Sequence, residues 1–196
     1  AGKLRELAGI LAPLGLELVS QDQFKVPEVE ETGLSFVENA IIKARAACEF
    51  SGYPAIADDS GLEVDYLRGE PGIHSARYSG GGDAANNARL LAALGAVPAE
   101  QRSARFQCAL VYMRHALDPM PLVCQASWEG LILDAPRGAN GFGYDPLFLD
   151  PGSGLAAAEM DPAAKNARSH RGQALARLRA LLGERSRRAR QGLFTR

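Results

Sequence analysis

Two acidic stretches carry the first chemistry in the chain: Glu30-Glu31-Thr32-Gly33 and Asp58-Asp59-Ser60-Gly61. Hard divalent cations such as Mg²⁺ take oxygen ligands, usually one or two carboxylates, and fill the remaining positions with water and substrate phosphate. Adjacent aspartates at the end of a strand point to opposite faces, so one of the pair would serve a given site. Acids in such places also cap turns or face solvent, and spacing alone leaves both readings open. A second cluster, Gly141-Phe142-Gly143-Tyr144-Asp145-Pro146, sets two glycines around an aromatic ring. Backbone can approach a flat ligand there, Phe142 offers a stacking face for a base, and Asp145 can accept from a ring N–H or an exocyclic amine. The same residues would equally make a tight loop whose rings plug a core. The third cluster is Lys165 with Ser169-His170-Arg171 at the start of the last predicted helix. Helix N-termini favour anions, and Arg171 adds a planar fork of donors. Positive side chains at that end are mildly unfavourable alone; either solvent or an anionic ligand relieves them. Ser-His-Asp order, H-E-x-x-H, zinc-ligand spacing and a Walker loop are absent.

The elements that must position these residues follow from periodicity and punctuation. Leu4, Leu7 and Leu11 recur at helical spacing, and Pro13 and Gly15 end that helix; Leu16–Val19 reads as a short strand. Ser35-Phe-Val-Glu38 is a capping box, behind which Val37, Ile41, Ala44 and Cys48 line one helical face until Gly52 and Pro54. Pro54–Ala57 predicts a buried strand, Asp58–Gly61 a polar turn, and Leu62–Leu67 a further strand. Asp83 is placed to cap a helix carrying Leu90, Leu91 and Leu94. Ala104, Phe106, Cys108, Leu110 and Tyr112 alternate as in a long strand, Leu122–Ser127 and Trp128–Leu133 predict two more, and a glycine-rich bend follows. Ser169 caps a last helix with Ala174, Leu175, Leu178 and Leu182 as its buried stripe. Helices and strands mixed along the whole length predict an α/β fold with a mixed sheet.

Composition bounds the partners. A chain of 196 residues is one domain, or one domain with two lobes. Twenty-two basic against 23 acidic residues leave a net charge of -1, which excludes a bulk-basic nucleic-acid binder and an acidic tail protein. Three scattered cysteines without a C-x-x-C predict a reduced, cytosolic setting. No apolar run approaches the roughly 20 residues of a membrane span. The end, with Arg185, Arg187, Arg188, Arg190 and Arg196, reads either as a solvated tail or as an anion-binding extension.

Six motifs then occur in order: Gly2-Lys3-Leu4-Arg5-Glu6, Glu31-Thr32-Gly33-x-Ser35-Phe36-x-Glu38-Asn39-Ala40, Ala57-Asp58-Asp59-Ser60-Gly61-Leu62, Ser75-Ala76-Arg77-Tyr78-Ser79-Gly80, Phe142-Gly143-Tyr144-Asp145-Pro146 and Ser169-His170-Arg171-Gly172. From Ala1 to about Leu182 this succession resembles the inosine triphosphate pyrophosphatase family of Ham1-like non-standard purine nucleoside triphosphatases. The resemblance implies a two-lobed single α/β domain over residues 1–183, around a long mixed sheet with flanking helices and an active-site cleft between lobes. Residues 184–196 are then an arginine-rich, flexible tail. It implies Mg²⁺-dependent hydrolysis of dITP, ITP and XTP to the monophosphate and pyrophosphate, cleansing the nucleotide pool of deaminated purines. The enzyme would be a cytoplasmic homodimer that binds neither nucleic acid nor membrane.

By the same resemblance Asp59 is the proton acceptor and a metal carboxylate, with Glu30 the second acid at the metal. Lys3, Lys43 and Lys165 fall among the triphosphate and nucleotide contacts, and Ser60 lies beside the catalytic acid. Phe142, Gly143, Tyr144, Asp145, His170 and Arg171 match the nucleoside-binding segment. The family opens with a strand and a Thr/Ser-x-Asn turn before the Gly-Lys pair, so about ten residues are expected ahead of Ala1 to anchor Lys3. Two other readings compete: a Maf-like pyrophosphatase acting on modified pyrimidines or 7-methylated guanine nucleotides, and a non-catalytic nucleotide- or RNA-binding module using Phe142 and the arginine tail. A substrate panel separates the first, and Mg²⁺-dependent turnover the second.

Overall fold

A computed structural model describes residues 7–8 and 11–190. Lys3 and the first turn of the expected Leu4–Leu11 helix lie outside the described residues, as does the end of the arginine-rich segment. Five strands form one sheet in chain order: β1 (Ala55–Val64), β2 (Ser103–Met113), β3 (Leu122–Ile132), β4 (Phe148–Asp150) and β5 (Leu155–Ala156). β3 and β4 pair antiparallel with Leu131 opposite Leu149, and β4 and β5 with Leu149 opposite Ala156. Side chains give the same sense for the first three strands. Asp65 meets Arg105 while Glu63 meets Gln107, and Arg105 meets Glu129 while Gln107 meets Ser127. Residue numbers thus rise on one strand as they fall on the next. The expected α/β class with flanking helices holds, and these pairings make the sheet antiparallel rather than mixed.

Two strands are longer than periodicity suggested. Asp58–Gly61 is no turn but the middle of β1, because pairing with a neighbouring strand overrides the turn preference of Asp, Ser and Gly. Ser127 and Trp128 likewise sit inside one strand, where Cys124, Ala126, Trp128 and Ile132 alternate inward without a break. Leu16–Val19, by contrast, is irregular, lying between 3-10 turns at Ala12–Leu14 and Gln21–Phe24 with Leu16 and Val19 both exposed.

Among the described residues four α-helices with full bounds accompany these strands: α1 (Phe36–Ser51), α2 (Asp83–Leu94), α3 (Pro162–Arg168) and α4 (His170–Arg190). Ser35 caps α1 as expected, but the reciprocal bond of the box reaches one residue further back, to Leu34 rather than to the Ser35 N–H. Ser35 Oγ accepts the Glu38 N–H, and Glu38 Oε2 accepts the Leu34 N–H at 3.0 Å. Gly52 closes the helix in the left-handed region, at φ 72°. Helix α4 continues to Arg190, well into the arginine-rich stretch.

Contacts divide the chain into two units. One comprises residues up to Asp58, Ala109–Gln125 and the chain from Ala174. Its core joins Ala40, Ala44 and Cys48 of α1 to Ala55, Ala109, Val111 and Met113. The other comprises Asp59–Cys108 and Ala126–Gln173. Its larger core includes Leu62, Val64, Leu90, Leu94, Phe106, Trp128, Tyr144 and Phe148. Among the described residues no helix is long and apolar enough to cross a membrane.

Candidate active site

The second unit holds most of the residues singled out from sequence. On β1, Asp59 is 8% exposed, and the pleat sends its neighbours Asp58 and Ser60 to the opposite side. Ser60 Oγ accepts from Arg171 Nη2 at 3.2 Å, which ties the start of α4 to the strand position next to Asp59. Arg171 also lies over the Phe142 ring, its Cζ 5.6 Å from the centroid, and Lys165 Nζ lies 5.3 Å from it. The ring itself is 53% exposed. It therefore keeps open surface beside two cations drawn by its quadrupole.

One carboxylate organises the loop that carries this ring. Asp145 is buried, and its Oδ2 accepts both the Phe142 N–H at 2.8 Å and the Lys165 ammonium. Gly141 makes that geometry possible. Its φ is +82°, and a Cβ there would collide with the same Asp145 oxygen. The oxygen expected to read a base thus holds the loop and a lysine. Tyr144 turns inward: its phenol donates to the Ser75 carbonyl at 2.9 Å, and burial pushes its pKa well above the ordinary phenol value. Its side chain belongs to the core, leaving main chain to face a ligand. Ser75 is itself fixed, accepting the Leu62 N–H at 2.8 Å, while Asn86 Nδ2 donates to the Ser75 and Ala76 carbonyls.

The basic cluster divides between two helices. Lys165 is in the last turn of α3, where the helix dipole favours a cation, and Arg171 is in the first turn of α4. Ser169 joins them, its Oγ accepting the Gly172 N–H at 3.1 Å as expected of a cap. Gly172 has to be glycine, because a Cβ would strike the Asn166 carbonyl. The His170 ring stacks on Phe106, with centroids 4.9 Å apart and planes 16° apart. Arg168 Nη1 reaches Asp150 Oδ2 at 3.3 Å, and Trp128 Nε1 donates to Asp150 Oδ1 at 3.1 Å. Burial alone would raise the Asp150 pKa; hydrogen bonds from Ser153 and Trp128 and the charge of Arg168 overcome it and hold the carboxyl below its ordinary value.

In the first unit, Lys43 Nζ pairs with Glu31 Oε1 at 3.1 Å, and Glu30 is exposed. Asn39 Oδ1 accepts the Gly33 N–H at 2.8 Å, and a Cβ on Gly33 would lie 2.6 Å from that oxygen. The acid-bearing segment is thereby tied to α1. Among the described residues no group of three or more His, Cys, Asp or Glu side chains is arranged to hold a metal. A cation that takes one or two carboxylates and fills its shell with water and phosphate does not need such a group. Sequence reasoning missed Asn86 and, although Ser75 and Gly172 stand in the ordered motifs, gave those two no role; close approaches and buried hydrogen bonds carry no periodic signal. It also made Asp83 a cap, whereas the helix begins at Asp83 itself and the carboxylate accepts from the Gly143 N–H.

An antiparallel sheet with a buried strand aspartate, and an aromatic loop fixed by a lysine–aspartate pair, defines the class to which comparison adds a name. Residues 1–181 match the Ham1 family, and the chain belongs to that family. It is 58% identical over 179 residues to a Vibrio cholerae protein named dITP/XTP pyrophosphatase, covering 90% of each chain. It is 60% identical over 177 residues to a protein of the same name from Thioalkalivibrio sulfidiphilus, covering 89% of this chain and 90% of the relative. The solved structure of a HAM1 protein from Coxiella burnetii superposes with a TM-score of 0.89 at 49% identity, over 94% of both chains.

The depressed Asp150 carboxyl gives a pH-dependent prediction. Its stabilising effect is complete above the ordinary carboxylate pKa and is lost as pH falls through the lower native value. Asp150→Asn is expected to lower the urea midpoint at neutral pH, with the gap to the wild type narrowing as pH falls below the ordinary carboxylate range. A gap that stays constant across that range would remove the ionised carboxylate from the account.

Proposed function

We propose that the chain is a nucleoside triphosphate pyrophosphatase that converts dITP, ITP and XTP to the monophosphate and pyrophosphate. It would thereby clear deaminated purines from the cytoplasmic nucleotide pool. The observation that carries this reading is a buried acid on β1 next to a serine held by Arg171, with that arginine also over an exposed aromatic ring. The names of the relatives in Vibrio cholerae and Thioalkalivibrio sulfidiphilus support the substrate class. Resemblance to the family supports a homodimer.

The base stacks on the open surface of Phe142, where main chain of Gly143 and Tyr144 is also near. His170 is held by its stack on Phe106, and Arg171 keeps its guanidinium beside the Phe142 ring. Lys165, with Lys43 and Lys3, offsets the roughly four negative charges that a triphosphate brings. Asp59 accepts the proton of a water that attacks the α-phosphorus, while the bond from that phosphorus to the bridging oxygen breaks and pyrophosphate departs. By the family resemblance Asp59 and Glu30 are the carboxylates that would hold Mg²⁺, and hard oxygen donors of this kind suit that cation. When bound, Mg²⁺ supplies charge neutralisation and a more acidic water.

Incubation with Mg²⁺ and a panel of ITP, XTP, ATP and GTP tests the reaction. Pyrophosphate is expected from the first two, and Asp59→Asn is expected to reduce turnover at least about 100-fold with the fold intact, as loss of a general base does. Orthophosphate as product, or more than about a tenth of activity in the variant, would contradict the assignment.

Arg171 gives the second prediction. A guanidinium only donates, so it satisfies the 6-keto oxygen of hypoxanthine or xanthine but faces another donor in the 6-amino group of adenine. An unpaired buried polar group costs about 1–3 kcal/mol, a selectivity of roughly 5- to 150-fold. Arg171→Ala should therefore shrink the ratio of kcat/KM for ITP over ATP by that order, and an unchanged ratio would exclude Arg171 from base reading.

A further inference from the structure

The loop that presents Phe142 is gripped from outside as well as from within. Asp83 Oδ2 accepts the Gly143 N–H at 2.7 Å, and Asn87 Nδ2 donates to the Gly143 carbonyl at 2.9 Å. Both polar groups of one peptide residue, directly after the aromatic ring, are thus bound by one helix. Asp83 and Asn87 are four residues apart on α2, so they stand on the same face about one turn from each other. Asn86 of the same turn is buried and anchors Ser75, whose carbonyl takes the Tyr144 hydroxyl. Gly143 is itself at φ +61°, and a Cβ there would meet nothing within 4 Å.

We propose that Asp83 and Asn87 are positioning residues for purine recognition: they fix the main chain of Gly143, and through it the Phe142 ring on which the base stacks. This inference rests on the nucleotide reading given above. Without the bracket, the loop keeps its internal Asp145 contacts but loses its fixed height and tilt against α2. A ligand that needs the ring is then bound less well, whereas a ligand that is only a chain of phosphates is not.

That distinction sets the experiment. KM and kcat for ITP are measured with wild type, Asp83→Ala, Asn87→Ala and the double variant. Competitive inhibition by inorganic tripolyphosphate, which has no base, is measured on the same proteins. The expected result is a KM for ITP raised about tenfold in the double variant, the scale of losing a charge-assisted hydrogen bond. The Ki of tripolyphosphate and kcat should stay within about twofold, a difference below that scale. Asp83→Asn, which keeps an acceptor for the Gly143 N–H, should recover most of the loss. An unchanged KM, or a parallel rise in KM and Ki, would overturn the proposal. So would a fall in kcat alone, or Asp83→Asn behaving as Asp83→Ala. Failure of the wild type to hydrolyse ITP would instead overturn the functional reading, so the two failures are distinct.

Discussion

One carboxylate oxygen, Asp145 Oδ2, holds together the aromatic loop and the lysine beside it. It receives a main-chain N–H from Phe142 and the ammonium of Lys165. A buried carboxylate needs such partners, since removing one leaves an uncompensated charge in a poorly solvating place. The pairing constrains the sequence in three ways. Gly141 must lack a side chain, residue 142 must keep its main-chain N–H, and α3 must end with a lysine near the loop. The gain is a ring whose direction is set before any ligand arrives.

The two cations over that ring are stabilised by different means. Lys165 sits where the carbonyl end of α3 favours positive charge, and its partner is Asp145. Arg171 opens α4, where the dipole opposes it, and it relies on the Ser60 hydroxyl and the Phe142 face. A guanidinium held in this way is in keeping with the preorganised positive charge that the proposed phosphoryl transfer needs. The abrupt joint that brings these two side chains together depends on Ser169 as a cap and on the missing side chain of Gly172.

Features that depend on neighbours in the sequence were legible there. The Ser35 cap, the Gly52 terminus and the Ser169 cap each need only three or four residues to be satisfied, and all three form. Features set by partners distant in the chain were not. Asp58–Gly61 has turn chemistry but lies within β1 because the sheet supplies its pairing. Asp83 has the chemistry of a cap, yet the Gly143 N–H, sixty residues later, claims its carboxylate. Tyr144 looks like part of a ligand loop, and only the core shows that its ring is buried and its hydroxyl committed to Ser75. Ordered motifs carried the family before any contact between residues could be read.

The central claim is that the Asp145 pairing orients Phe142 and Lys165 for a purine nucleotide. It is tested most directly by comparing two alanine substitutions in the same loop. Gly141 (φ +82°) and Gly143 (φ +61°) both have positive φ, so alanine strains the backbone at either, but a Cβ collides with Asp145 at Gly141 and meets nothing within 4 Å at Gly143. Calorimetric titration with inosine monophosphate should show Gly141→Ala weakening binding about tenfold more than Gly143→Ala, the order expected for a displaced charge-assisted contact. Equal affinities in the two variants would show that the Asp145 oxygen does not orient the site.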